Sequence, residues 1–307
     1  MSRLWVELAG VALRSPLVGC SGCCGFGIEL KRMGALEGLG ALFLKGVTVK
    51  PRHGNPPPRL WETACGVINS IGLENPGLEK VVLEVLPQLD LGIPVFCNIS
   101  GYTVDEFSEL AAAFQRTSAD GIEVNVSCPN IEQGGKVFGA SPEWVYRATR
   151  AVRLATSKPV LVKLSIACAD IAEVALAAKE AGADGLSLIN TVPAMALDPV
   201  SLKPALGNVS GGLSGPAIKP ISLLAVWKAY EATGLPIVGM GGVREAQDVL
   251  EFMAAGATAV GLGLQLLIDP FSPRKIAREL WESLERRGFQ NAREIVGYAH
   301  GSTGGSS

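Results

Sequence analysis

A (β/α)8 TIM barrel of α/β class, with an N-terminal β extension, is the fold that this sequence predicts, and three patterns carry the prediction. One set of short runs starts at proline and ends in a polar or glycine residue: Pro94-Val-Phe-Cys-Asn98, Pro159-Val-Leu-Val-Lys163 and Pro236-Ile-Val-Gly-Met-Gly241. A second set starts with a small-residue turn: Ala119-Asp-Gly-Ile-Glu-Val-Asn125, Ala183-Asp-Gly-Leu-Ser-Leu-Ile-Asn190 and Ala257-Thr-Ala-Val-Gly-Leu-Gly263. The two sets alternate. Between them, residues 104–117, 142–156, 171–181 and 246–255 space their apolar side chains as helices packed on one face do.

Almost wholly apolar strands alternating with helices indicate a parallel sheet covered on both faces. Upstream, Pro16-Leu-Val-Gly19 and Ala41-Leu-Phe-Leu44 bring the strands to roughly eight, the number that closes a barrel. A doubly wound open sheet is the competing arrangement. Barrel chemistry sits at the C-terminal ends of the strands, and those ends read Lys45, Asn98, Asn125, Lys163, Asn190, Gly241 and Gly263.

Composition removes whole classes of function. With 307 residues, 48% hydrophobic and 18% charged, the chain suits one large domain, expected over residues 1–300, with 301–307 as a flexible tail. The 27 basic residues face 29 acidic ones and form no block, so the counterion-releasing surface of a nucleic-acid binder is missing. No run of about 18 apolar residues suggests a membrane span, and Glu7 falls where a signal peptide needs apolar side chains. A cytoplasmic location is therefore expected. Seven cysteines read as reduced thiols rather than a disulfide framework.

The richest stretch is Asp120-Gly-Ile-Glu-Val-Asn125-Val-Ser-Cys128-Pro-Asn130, where an apolar strand ends in amides around a single thiol. That combination suits removing a proton from a small polar ring. Asn69, Asn125, Asn130 and Asn190 offer donors and acceptors for alternating N–H and C=O groups, while each also fits a turn, Asn130 best and Asn190 least. Lys163 either pairs with an anion or extends to solvent. Gly211-Gly-Leu-Ser-Gly215 leads towards a helix, and Met240-Gly-Gly242 and Gly261-Leu-Gly263 follow two successive strands. Glycine lets backbone N–H groups approach an anion, so the three together suggest a phosphate site, ordinary turns being the alternative. Neither a Walker motif nor a placed Gly-x-Gly-x-x-Gly fingerprint is present.

On the stretches Lys45-Gly-Val-Thr48, Gly66-Val-Ile-Asn-Ser-Ile-Gly-Leu-Glu-Asn-Pro-Gly77, Asn125-Val-Ser-Cys-Pro-Asn130, Val162-Lys-Leu-Ser165, Ile189-Asn-Thr191, Gly211 to Pro220 and Gly239-Met-Gly-Gly-Val243, the chain resembles class 1 dihydroorotate dehydrogenases. It is most similar to the catalytic subunit of the NAD-linked class 1B type. The resemblance implies an FMN-bound barrel that oxidises dihydroorotate to orotate in pyrimidine biosynthesis. Cys128 would then take the proton from substrate C5 while hydride leaves C6 for flavin N5. Lys163 would lie beside flavin N1 and the C2 carbonyl, and Lys45 between flavin and substrate. Asn69, Asn125, Asn130, Asn190 and Thr191, with the backbone of Ile71, Gly72 and Leu73, match positions that hold the pyrimidine and its carboxylate. Ser21, Gly22, Asn98, Asn125 and Ile189 match flavin positions, and Gly215, Gly241, Gly242 and Gly263 would receive the phosphate.

The residue types suit these roles. A thiol with an ordinary pKa of about 8.5 is little ionised at neutral pH, so lysine charge or donated hydrogen bonds would help Cys128 act as a base. A lone cysteine is otherwise usually inert and buried. The resemblance also implies a partner subunit carrying FAD and a [2Fe-2S] cluster that reduces NAD, and a homodimer of catalytic subunits within a heterotetramer. This chain carries neither a Cys-x4-Cys-x2-Cys run nor a dinucleotide fingerprint. The glycine-containing loop 131–141 is expected to act as a lid, or else to be a plain connection.

Two departures stand out. Ile166-Ala167-Cys168 replaces the proline and asparagine common after the Val-Lys-Leu-Ser stretch, so the loop there is expected to differ. Cys20-Ser-Gly-Cys23-Cys24 places three thiols where relatives are not cysteine-rich, without a second Cys-x-x-Cys or a histidine pair to complete a metal site. The competing functions are a fumarate-linked or other flavin-dependent pyrimidine oxidoreductase, a flavin-free phosphate-binding lyase or isomerase, and a noncatalytic scaffold.

Overall fold

The structure, a computed structural model, describes residues 3–126 and 141–304, the last three as backbone only. Cys128, Asn130 and residues 131–140 of the expected lid lie outside the described residues. In chain order, β1 (Val6–Leu8) and β2 (Val11–Leu13) form an antiparallel hairpin, the expected N-terminal extension. There follow β3 (Leu17–Gly19), β4 (Ala41–Phe43), β5 (Leu60–Thr63), β6 (Gly66–Asn69) and β7 (Val95–Ile99). Next come β8 (Gly121–Asn125), β9 (Val160–Leu164), β10 (Gly185–Leu188), β11 (Val192–Met195), β12 (Ser210–Ser214), β13 (Ile237–Met240) and β14 (Ala259–Leu262).

Eight of these close a barrel in the order β3-β4-β7-β8-β9-β10-β13-β14, with β14 pairing back onto β3. All eight are the strands that the sequence patterns predict, and every pair is parallel. The open-sheet alternative is thereby excluded. The predicted helices form as Val104–Gln115, Pro142–Ala155, Ile171–Glu180 and Ala246–Ala254, and Lys219–Thr233 and Ser272–Arg286 join them outside the barrel. Thr103 and Asp170 cap two of them by accepting from Glu106 N and Ala172 N. Among the described residues no helix is long and apolar enough to cross a membrane.

The recurring Ala-Asp-Gly turn has a structural cause. Asp120 accepts from Val95 N at 2.8 Å through its carboxylate, and its own N–H donates to Val95 O at 2.8 Å. Asp184 repeats the arrangement one pair further round, on Val160, at the same two distances. Each aspartate thus ties the start of its strand to the start of the preceding one, which fixes the parallel register. Inside, the rings of Phe43 and Phe96 stack with centroids 4.7 Å apart and fill the lower barrel.

One feature has no counterpart in the sequence prediction. The loops that leave β4 and β10 carry β5-β6 and β11-β12, which join into an antiparallel sheet of order β11-β12-β6-β5 at the mouth of the barrel. The glycines of 211–214, expected to form a phosphate turn, therefore lie in β12 instead, and only Gly215 stands at the turn.

Phe96 is fully buried, so Phe96→Ala is expected to lower the unfolding free energy by about 3–5 kcal/mol through the lost transfer energy and the cavity. Urea unfolding followed by circular dichroism measures this, and a change under about 1 kcal/mol would contradict a close-packed barrel interior.

Candidate active site

Side chains alternate along a strand, and neighbours in a parallel register share a face. The pairs Asn98↔Glu123, Asn125↔Lys163 and Lys163↔Ser187 therefore bring four adjacent strands' polar residues to one face, inside the upper barrel. Glu123 is fully buried and Lys163 only 6% exposed. They are linked through Ser21 at the end of β3: Lys163 Nζ donates to Ser21 Oγ at 2.9 Å, and Ser21 Oγ donates to Glu123 Oε2 at 2.7 Å. Asn98 Nδ2 donates to the same oxygen at 2.5 Å. A buried ammonium and carboxylate joined by a hydroxyl and an amide offset much of each other's desolvation.

Two acceptors of this group, Asn98 Oδ1 and Glu123 Oε1, are buried with no hydrogen-bond partner among the described residues. Such atoms are uncommon in native proteins and mark a place where a ligand or water belongs.

The amides that the sequence singles out gather around the antiparallel sheet at the mouth. Asn69 Nδ2 donates to Gly212 O at 3.1 Å across the β6-β12 pair, and Thr191 packs against Gly212 so closely that a β-carbon there would overlap its side chain. Asn190 Oδ1 accepts from Thr191 N at 2.9 Å, and Asn190 N donates to Leu164 O at the top of β9. From the other side, Leu73 approaches Gly46, and Gly46 lies against Asn98 Oδ1, so the segment Ile71, Gly72 and Leu73 stands beside the Lys45-Gly46 turn. Lys45 itself is partly buried, its N–H bound to Gly25 O. Ile189 is buried and donates to Met240 O.

The glycines form a second centre. Gly242 has φ +77°, and a β-carbon there would stand 2.9 Å from Gly215 O and 3.0 Å from Lys219 N. Gly215, at φ +112°, would place one 2.7 Å from Gly66 Cα and 3.3 Å from the Leu264 side chain, next to Gly263. Only glycine admits both the dihedrals and the close backbone approach, as an anion cradle requires. Gly241 packs on Ser222, whose hydroxyl holds Met240 O. Beneath the cradle, Lys219 bonds Asp248 at 2.6 Å and Glu251 at 2.7 Å, and Asp248 also accepts from Arg244 N and Glu245 N. Burial weighs against the Lys219 charge, but the bonds to Asp248 and Glu251 outweigh it and raise its pKa.

Cys20 joins the two centres. Its Sγ lies 3.7 Å from Met240 Sδ and 4.0 Å from where a Gly263 β-carbon would stand. Burial pushes the thiols of Cys20, Cys23 and Cys24 up, the Lys163 charge opposing this for the first two. Among the described residues no group of three metal-ligating side chains is placed to hold a metal ion. Gly22, at φ +90°, has open space where a side chain would be. In the loop after β9, Ala167 N and Cys168 Sγ both turn back onto Ser165.

Taken together, the strand ends offer a buried cation and orphaned acceptors at one edge and a glycine cradle at the other. That pairing suits a flat heterocycle with donors and acceptors on one rim and a phosphate at the far end of its chain. Of the residues predicted from sequence, Cys128 and Asn130 fall outside the described residues. Glu123 is the site residue that sequence reasoning misses, although a charged residue two places before Asn125 in an apolar strand marks the same inward face.

Comparison with known proteins agrees with this architecture. The profile of the dihydroorotate dehydrogenase family matches residues 3–284, and the chain belongs to that family. Among curated proteins it is 48% identical over 302 residues to the dihydroorotate dehydrogenase B (NAD(+)) catalytic subunit of Desulforudis audaxviator, covering 98% of each chain. Proteins of the same description from Caldicellulosiruptor saccharolyticus and Geobacillus kaustophilus are 47% and 45% identical, covering 96% and 97% of this chain and 98% and 96% of theirs.

Two outcomes are expected here. Thiol alkylation followed by mass spectrometry should label exposed Cys65 well before buried Cys20, Cys24 and Cys97, the last with its pKa pushed up to about 12 by burial; early labelling of Cys20 would contradict the packing. Because the folded pKa of Lys219 lies above its ordinary value of 10.5, its pairing contributes fully below that pH and is lost as pH rises through the folded value. The unfolding-midpoint difference between wild type and Lys219→Met should therefore be constant from pH 7 to 9 and shrink above about pH 10.5.

Proposed function

We propose that this chain is the catalytic subunit of an NAD-linked dihydroorotate dehydrogenase, one FMN-binding domain spanning residues 1–300, that oxidises dihydroorotate to orotate in pyrimidine biosynthesis. The observation that carries the proposal is the buried Lys163-Ser21-Glu123-Asn98 cluster at the barrel mouth, in a chain with the family's profile. The cluster and the glycine cradle fit a flavin mononucleotide. FMN, when bound, supplies an acceptor for the hydride that leaves substrate C6.

In this reading the chain's residues divide the work. Gly215, Gly241, Gly242 and Gly263 hold the phosphate through backbone N–H groups. Lys163 presents a fixed positive charge to the rim of the ring, where charge accumulates on reduction, and Ser21, Gly22, Asn98, Asn125 and Ile189 seat it. Lys45 spans ring and substrate. Asn69, Asn125, Asn130, Asn190 and Thr191, with the backbone of Ile71, Gly72 and Leu73, orient the pyrimidine and its carboxylate, and Cys128 Sγ takes the proton from C5.

The relatives' description as catalytic subunits supports a second polypeptide. We assign to it FAD and a [2Fe-2S] cluster that carry electrons to NAD, with the catalytic subunits paired as a dimer inside a heterotetramer, in the cytoplasm.

Anaerobic addition of dihydroorotate to the purified chain is expected to bleach the flavin absorbance without any partner present. Cys128→Ser should retain FMN and bleach at least about a hundredfold more slowly, the contribution typical of a positioned base. A flavin-loaded wild type that does not bleach would overturn the substrate assignment, and an undiminished variant would overturn the role of Cys128.

A further inference from the structure

We infer that Glu123 is a positioning residue for the flavin: through Ser21 it holds the Lys163 ammonium in place and partly neutralises it, and so sets how strongly the site attracts negative charge onto the ring. The inference rests on the flavin assignment above and adds a residue to which that assignment gives no role.

Three observations lead to it. Glu123 is fully buried, in the interior of an α/β barrel whose lower layers are apolar, and a carboxylate is not left there without a purpose or a partner. One of its oxygens is saturated by Ser21 Oγ and Asn98 Nδ2, while the other, Oε1, is buried and without a partner among the described residues. The group that Ser21 accepts from is Lys163 Nζ, so carboxylate and ammonium stand one hydroxyl apart in a setting of low dielectric. The Lys163 field at the ring is therefore the field of a pair, smaller than that of a bare cation. Asn98 and Ser21, both at flavin positions, are oriented by the same oxygen, so a single carboxylate fixes two cofactor contacts directly and Lys163 through Ser21.

Charge and shape make opposite predictions. Glu123→Gln keeps the size and one acceptor but removes the charge, whereas Glu123→Asp keeps the charge and shortens the reach. Sulfite binds flavins more tightly the more positive their surroundings, and its binding is read directly as loss of the visible flavin band. In the purified FMN-loaded protein, Glu123→Gln is expected to tighten sulfite binding about tenfold or more, the effect of one unit charge at several ångströms in a protein interior. Glu123→Asp is expected to stay within about threefold of wild type on the same electrostatic grounds.

Equal sulfite affinities in wild type and Glu123→Gln, or a larger shift in Glu123→Asp than in Glu123→Gln, would overturn the inference and leave Glu123 as packing. Should Glu123→Gln fail to hold flavin, Glu123→Asp decides, because it keeps the charge and leaves Lys163 untouched: sulfite affinity within about threefold of wild type supports the counter-charge, and a change beyond about tenfold contradicts it. A wild-type protein that binds no flavin would instead sink the functional assignment itself, so the two failures are distinguishable.

Discussion

A buried ammonium and carboxylate bridged by one hydroxyl at the top of an apolar barrel form the constraint on which the remaining structure depends. Lys163 and Glu123 sit on fully buried strands, Lys163 among valines and leucines and Glu123 between Ile122 and Val124, and each would be costly alone. Ser21 and Asn98 complete the pair, so strands β3, β7, β8 and β9 must keep their register for the charges to meet. At the opposite end Asp120 ties β8 to the start of β7, and Asp184 ties β10 to the start of β9. Register is thus fixed below by backbone capping, β7 to β8 and β9 to β10, and above by side-chain chemistry that joins β7, β8 and β9 to the end of β3.

From that fixed platform the other parts take their places. The loops after β4 and β10 are long enough to build an antiparallel sheet over the mouth, which carries Asn69 and Gly212 to the side of Thr191. On the far side, β13 and β14 are followed by glycines that leave backbone uncovered, and the Lys219-Asp248-Glu251 group braces the turn beneath them. A barrel separates these tasks well, since the strands supply rigidity and the loops at one end supply chemistry.

Much of this was legible in the sequence. Strands buried on both faces must be apolar, and the turn aspartates recur because each performs the same capping bond, so all eight barrel strands and four of the helices follow from pattern alone. The mouth sheet was not legible. Leu60–Thr63 and Val192–Met195 alternate between partly buried and exposed residues over only four positions, and β12 is Ser-Gly-Gly-Leu-Ser, a composition that reads as a turn. Its strand conformation comes from pairing with β6 and β11, partners distant in sequence. In the site, Lys163, Asn98 and Asn125 were readable as polar residues closing apolar runs. Glu123 is marked only by its phase with Asn125, and its role follows from Ser21, in the turn after β3, and Asn98 on β7, both distant in sequence.

The central claim is that the Lys163-Ser21-Glu123 arrangement faces the rim of a flavin whose phosphate rests in the glycine cradle. A crystal structure of the purified, flavin-containing chain tests it most directly. The account predicts Lys163 Nζ within hydrogen-bond distance of the ring's pyrimidine edge and the phosphate against the backbone of Gly215, Gly242 and Gly263. A flavin bound elsewhere, or one whose phosphate lies on the Lys163 side, would contradict it.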